Sequence, residues 1–317
     1  MRIRLITPSL ASARNGNSVT AVRWARILRH LGHRLVLERS YDGGPCDLMI
    51  ALHALRSHES IRLFKEMHPE LPLIVVMTGT DLYRDIRINP NAQGSLELAT
   101  RLIVLQPMGI LELPKQLRAK ARVIYQSAAR VRRRPTQTKN GCFNVCVISH
   151  LRPEKDPLRT AMAARELPAS SRLRVLHIGR PLSKEMDRIL RAEIARNPRF
   201  RWLGELPHWK TRRILADSHL LSVTSRMEGS SNALCEAIAS SVPVVASKIP
   251  GLMGTLGKNY PGYFPVGDTR ALARLLQKAE SNLKFYRRLK NYCARLVPLV
   301  DPRHERAAWK KLLSELS

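Results

Sequence analysis

The sequence predicts an α/β protein built from two doubly wound parallel sheets, and three observations lead there. Short aliphatic or β-branched runs alternate with amphipathic helical stretches along nearly the whole chain, a rhythm that places parallel strands between two layers of helices. The rhythm breaks once, across Arg130-Val131-Arg132-Arg133-Arg134-Pro135-Thr136-Gln137-Thr138-Lys139-Asn140-Gly141, which has many charges, one proline and no apolar period. Finally, the 317 residues are long for one core and natural for two domains of about 150 residues each. An apolar share of 44% supplies a core to each half.

In the first half, strands are expected at residues 3–7, 35–38, 48–52, 73–78, 102–105 and 123–125. The polar loop Ser12-Ala13-Arg14-Asn15-Gly16-Asn17-Ser18 leads into a helix in which Val22, Ala25, Leu28 and Leu31 recur at three-residue spacing and Gly32 is the stop. Helical stretches fill several of the remaining gaps. The second half restarts with a strand at 143–149, the loop Arg152-Pro153-Glu154-Lys155 and a helix from about Asp156. Strands follow at 174–178, 200–203, 220–223 and 242–246, with a helix at 231–240 before the last. Residues 301–316 read as a helix with Ala307, Ala308, Leu312 and Leu313 on its apolar side. The domains are therefore 1–134, a linker at 135–141, 142–300, and a C-terminal helix at 301–317. Two such units are expected to face one another across a cleft, with ligands beyond the carboxyl ends of the strands.

Charge narrows the partners. Lys and Arg number 54 against 25 Asp and Glu, a net +29, which calls for anions: phosphates, nucleic acid or a membrane surface. Runs such as Leu73-Ile74-Val75-Val76-Met77 are of strand length, far short of the ~20 residues that span a bilayer. The stretch Arg2-Ile3-Arg4-Leu5-Ile6-Thr7-Pro8 is too short for a signal peptide and is broken by Pro8. Cys46, Cys142, Cys146, Cys235 and Cys293 form no CxxC pair and no zinc-finger spacing with histidine. They read as reduced, mostly buried thiols of a cytoplasmic protein, with no metal site. A nucleic-acid-binding protein is the competing class. Against it, the arginines spread along helices, aromatics are 5% of the chain, and none interleaves with the 130–141 cluster, which reads better as a solvated linker. Membrane-surface contact stays open.

The most informative stretch is Ser225-Arg226-Met227-Glu228-Gly229-Ser230-Ser231-Asn232-Ala233-Leu234-Cys235-Glu236-Ala237-Ile238-Ala239-Ser240. Its Gly/Ser loop runs into a helix N-terminus, whose free N–H groups and positive dipole end suit a diphosphate. Glu228 precedes that anion site and Glu236 lies two turns into the helix, so each can accept hydroxyl protons, one from a sugar and one from a ribose. Two glutamates at this spacing would by themselves describe unrelated surface residues. Their surroundings decide otherwise.

A strand, Ser225-Arg226-Met227-Glu228-Gly229, a helix carrying Glu236-Ala237-Ile238-Ala239, and then Val242-Pro243-Val244-Val245-Ala246-Ser247 together resemble glycosyltransferase family 4. The resemblance implies that Glu228 holds the donor sugar, that the backbone through Ser230, Ser231, Asn232 and Ala233 binds the diphosphate, and that Glu236 grips the ribose. Ser149-His150-Leu151-Arg152-Pro153-Glu154-Lys155 is similar to the family's Ser-Arg-Leu-x-x-x-Lys loop, and Lys155 matches its diphosphate-binding lysine. His150 stands where the family has arginine and Arg152 lies two residues on, which leaves open which of them neutralises the leaving diphosphate. His177-Ile178-Gly179 and Leu203-Gly204 occupy family places, Gly204 among the donor-binding positions. The implied fold is GT-B, two Rossmann-like domains with the C-terminal helix returning to the first. No Asp-x-Asp occurs, so the implied enzyme runs without a metal or other cofactor. Lys155, Arg152 and the helix end would meet the charge of a UDP-sugar instead.

The first domain is then expected to hold the acceptor. Gly16, Asn17 and Thr20 lie at a helix start, His53 and Arg56 follow one strand, and Thr78, Thr80, Asp81 and Arg84 follow another. The stretches Gly16-Asn17-Ser18-Val19-Thr20-Ala21-Val22-Arg23-Trp24-Ala25, Leu52-His53-Ala54-Leu55-Arg56-Ser57 and Thr78-Gly79-Thr80-Asp81-Leu82-Tyr83-Arg84-Asp85 resemble one branch of the family, the selenosugar synthases of selenoneine biosynthesis. That resemblance implies transfer of a UDP-activated N-acetylhexosamine (UDP-GlcNAc) to selenophosphate with formation of a carbon–selenium bond. The selenophosphate-producing enzyme is the implied protein partner. A family 4 transferase acting on a carbohydrate or lipid hydroxyl is the alternative within the same chemistry.

Overall fold

The computed structural model describes residues 1–8, 16–132 and 141–316. These fall into two compact units: Met1–Gln126 with Glu228–Asn232 and Pro302–Ser317, and Ser127–Met227 with Ala233–Asp301.

The first unit holds a parallel sheet of β1 (Arg2–Ile6), β2 (Arg34–Glu38), β3 (Leu48–Leu52), β4 (Leu73–Met77), β5 (Arg101–Val104) and β6 (Ala121–Val123) in the order β2-β1-β3-β4-β5-β6. Every residue of β3 and β4 is buried, as central strands covered on both faces require, and their sequences are accordingly unbroken apolar runs. One face carries Ile61 and Phe64 of the helix His58–Met67, and Ala92 and Leu96 of the helix Pro90–Leu98. The other carries Trp24 and Leu28 of the helix Gly16–His30 together with Trp309, Leu312 and Leu313 of the helix Pro302–Ser314.

That last helix departs from its expected face. Ala307 is exposed, while Glu305 and Trp309 are buried with Leu312 and Leu313. The Glu305 carboxylate accepts from Arg23 Nε at 3.0 and 3.2 Å and from Trp24 Nε1 at 2.6 Å. Trp309 meets Trp24 edge-on, with centroids 4.9 Å apart.

The second unit repeats the plan with β7 (Phe143–Ile148), β8 (Leu173–Ile178), β9 (Phe200–Trp202), β10 (Leu220–Val223), β11 (Val244–Ser247) and β12 (Tyr263–Phe264), all parallel, in the order β12-β11-β10-β7-β8-β9. The chain reverses its lateral direction between β7 and β10, so their carboxyl ends frame a crevice. The helix expected from about Asp156 begins instead at Arg159. Asp156 sits in the left-handed region at φ 43° and pairs with Arg159 Nε at 3.0 Å, which keeps this stretch as a turn.

The boundary also falls earlier than residue 134. Ala128 N–H donates to Val300 O at 3.0 Å, and Arg213 donates to Arg132 O at 2.8 Å, so the chain joins the second unit from Ser127 on. Residues 133–140, which include most of the expected linker, lie outside the described residues, as do 9–15 of the first loop. All five cysteines are free thiols, four of them buried. Among the described residues no helix is long and apolar enough to cross a membrane.

Candidate active site

In the first unit, the loops after β3 and β4 are tied together by one carboxylate. Asp81 is completely buried. It accepts from Thr78 N–H at 2.9 Å, Gly79 N–H at 2.8 Å, Ala54 N–H at 3.1 Å and the Thr78 hydroxyl at 3.3 Å. Its oxygens are thus spent on holding the two loops, which corrects its expected place among acceptor-binding groups to that of their anchor.

His53 stands at φ 73°, a strained setting for a side chain of its size. It is 2% exposed, with Nε2 at 3.0 Å from Thr80 Oγ1 and Nδ1 accepting from Arg56 N–H at 3.3 Å. Asp81 and Asp85 lie 3.9 Å from its two nitrogens. Asp85 is held by Arg84 Nε at 2.8 Å. Arg56 and Arg84 are exposed, and Thr78 and Thr80 are half-buried. The structure therefore gathers His53, Thr78, Thr80 and Asp81 into one cluster with two arginines beside it.

Thr20 does not offer its hydroxyl outward. It is buried, donates to Gly16 O at 2.9 Å as a helix back-bond and accepts from Gln126 Nε2 at 2.6 Å. Gly16 is exposed and Asn17 half-buried at the helix start. The segment Glu228–Asn232 groups with this unit. Glu228, Ser230 and Ser231 are buried within it, and Asn232 Oδ1 accepts from Arg23 Nη1 at 2.9 Å. A Cβ on Gly229 would stand 2.4 Å from Thr78 O, so only glycine fits there. Ser230 Oγ is buried without a hydrogen-bond partner among the described residues.

In the second unit, the loops after β7 and β10 are stitched together. The Thr224 hydroxyl donates to Lys155 O at 3.0 Å and Asp156 O at 2.8 Å, and Arg226 N–H donates to Glu154 O at 2.9 Å. Those bonds fix the tight turn Pro153–Lys155 at the crevice between β7 and β10. His150 Nδ1 accepts from Arg180 N–H at 3.3 Å and its Nε2 lies 4.0 Å from Glu205. Arg152 is half-buried, and its guanidinium has no partner among the described residues. Gly204 O accepts from Gly179 N–H at 2.9 Å. Gly179 itself passes so close to Ser149 that a Cβ would lie 2.0 Å from the Ser149 carbonyl oxygen. Ala233 is half-buried in the first turn of the helix Asn232–Ala239.

One residue of this site escaped sequence reasoning. Glu236, on the helix Asn232–Ala239, receives His208 Nε2 at 2.6 Å on Oε1. Pro207 marks a helix start and so places His208 at its first position, but no local pattern connects it with a glutamate 28 residues on.

Known proteins share this fold. The family described as "Glycosyl transferases group 1" matches residues 131–295, a little over half of the chain. Glycosyltransferase 1 domain-containing protein 1 of Xenopus tropicalis is 24% identical over 271 residues, covering 75% of this chain and 76% of that protein. Among solved structures, sucrose-phosphate synthase from Thermosynechococcus elongatus superposes with a TM-score of 0.80 at 16% identity, covering 99% of this chain and 98% of its own. Anabaena HepE, solved in complex with UDP and glucose, gives a TM-score of 0.78 at 16% identity and covers 100% of both chains.

Proposed function

The chain belongs to the group 1 glycosyl transferases, and from that premise we propose that it is a selenosugar synthase, moving N-acetylhexosamine from UDP-GlcNAc to selenophosphate. In the reaction, selenium attacks the anomeric carbon, the carbon–oxygen bond to the diphosphate breaks, and UDP leaves with the electron pair. Lys155 and Arg152 supply the charge that stabilises that departure, acting from a turn preset before the substrate arrives. Arg152, with its guanidinium uncommitted, takes the role of the family arginine, since His150 is engaged by Arg180 and Glu205. Ser230, Ser231, Asn232 and Ala233 receive the diphosphate, Glu228 the donor sugar and Glu236 the ribose.

The observation that carries the acceptor half is the state of the carboxylates after β3 and β4. Asp81 is saturated by four donors and Asp85 is paired with Arg84. Both carboxylates are engaged, while the Thr80 hydroxyl and the exposed Arg56 guanidinium are left to present a donor and positive charge. Such a set suits a nucleophile that arrives already ionised.

Mass spectrometry of products from the purified protein with UDP-GlcNAc and a selenophosphate-generating system tests this. The expected result is a sugar with a carbon–selenium bond, in a reaction that inorganic phosphate inhibits by competing with the acceptor. Glycosylation of a carbohydrate or lipid hydroxyl, with no carbon–selenium product, would replace the proposal by the other family 4 reading.

A further inference from the structure

The Glu236 carboxylate does not stand alone. Its side chain is 9% exposed, against 55% for the imidazole that reaches it, and the contact between Oε1 and His208 Nε2 is 2.6 Å. The charge of Glu236 also reaches Cys146, a fully buried thiol pushed up to about 12 chiefly by burial. The other oxygen, Oε2, accepts no hydrogen bond among the described residues. His208 occupies the first position of the helix His208–Asp217.

We infer that His208 is a positioning residue that makes this site selective for ribose over deoxyribose, by holding Oε1 so that the carboxylate is presented edge-on to a vicinal diol. The inference rests on Glu236 as the ribose-holding group. A carboxylate has room for about four acceptor contacts on its two oxygens. With one contact given to the imidazole, its rotation about the terminal torsion is stopped, and the remaining lone pairs point in a fixed direction. Without His208 the same carboxylate turns freely, and a diol pays the cost of ordering it. Such a torsion is broad and roughly two-fold when unrestrained. The diphosphate is assigned to the backbone through Ser230, Ser231, Asn232 and Ala233, so losing His208 should act through the sugar hydroxyls.

The test is calorimetric binding of UDP and of 2′-deoxy-UDP to the full chain, with circular dichroism confirming each variant's fold. The wild type is expected to prefer UDP by about tenfold or more, the strength of one hydrogen bond to a charged group. In His208→Ala that preference should fall at least about threefold, because UDP loses two ordered hydroxyl contacts and 2′-deoxy-UDP only the one from its 3′-hydroxyl. His208→Gln, which restores an N–H donor, should recover the preference. A histidine that only stabilises the helix would weaken both ligands alike. An unchanged ratio in His208→Ala, or a Gln variant no better than Ala, overturns the inference. Glu236→Gln separates it from its premise: a ratio unaffected by that change removes Glu236 from the ribose. A ratio that collapses in Glu236→Gln and survives in His208→Ala removes His208 alone.

Discussion

His177 shows how much of this site is built by burying groups in one ionic state. It is fully buried on β8, with Nε2 donating to Ser149 O at 3.0 Å, and burial pushes its pKa down to about 4 despite that bond, which favours its charged form. An unfolded histidine takes up its proton near pH 6.5. Between that pH and about 4 the unfolded chain binds a proton that the folded chain refuses, so stability is present above this window and is lost as the pH falls through it. Lowering the pH from 7 to 4.5 should remove about 2–3 kcal/mol through this group alone. Urea midpoints at the two pH values, for the wild type and for His177→Gln, read the effect: the wild type should lose that much more than the variant. Parallel losses in the two proteins would show that His177 contributes nothing. The motif His177-Ile178-Gly179 was legible in the sequence as part of the nucleotide-binding half. That the imidazole faces inward to brace the Ser149 carbonyl was not, because the brace lies on the neighbouring strand.

The helix Pro302–Ser314 poses a similar problem on the scale of an element. Its existence was legible from apolar spacing, yet the spacing favoured Ala307 and missed Glu305 and Trp309. A buried glutamate becomes tolerable through partners such as Arg23 and Trp24, 282 and 281 residues away, and no short window of sequence contains them together. Removing one member of such a buried pair strands the other, at about 3–5 kcal/mol. Glu305→Ala should therefore lower the urea midpoint by an amount of that order with little change in slope. Glu305→Gln, still able to accept from Trp24, should lose less. Equal stabilities for all three proteins would mean that the pair is ornamental. The strands were the easiest elements to read, since central parallel strands must be apolar on both faces: β3 and β10 fall where expected, and most others shift by one or two residues. β12 was missed because two residues carry no period. The helix expected at Asp156 was displaced because a left-handed residue leaves no mark in composition. Near the candidate site, the turn carrying Lys155 and the helix carrying Glu236 were legible as elements through their surroundings, whereas the pairing of His208 with Glu236 depends on a contact between two helices.

For the molecule as a whole, carboxylates are scarce and cations abundant, 25 against 54. Among the described residues no group of three or more His, Cys, Asp or Glu is placed to hold a metal ion. Under the proposed function the charge of a departing diphosphate is met by Lys155 and Arg152, and turnover is expected to be the same in excess EDTA as without it. A requirement for added Mg²⁺ or Mn²⁺ in that assay would refute this account of the leaving group. The return of Pro302–Ser314 to the first sheet also has a consequence for biosynthesis. The first unit is threaded through the chain's order of manufacture: its sheet is complete at β6, but the face holding Trp24 and Leu28 waits for Trp309 and Leu312, which are made only after the whole second unit. At ribosomal speeds of about 5–20 residues per second, that wait is on the order of 10–40 s. Throughout it the nascent sheet shows an open apolar flank and an unpaired Arg23, so the second unit is the first to become a finished body. A chaperone attending this chain would find its substrate in the half that was translated first.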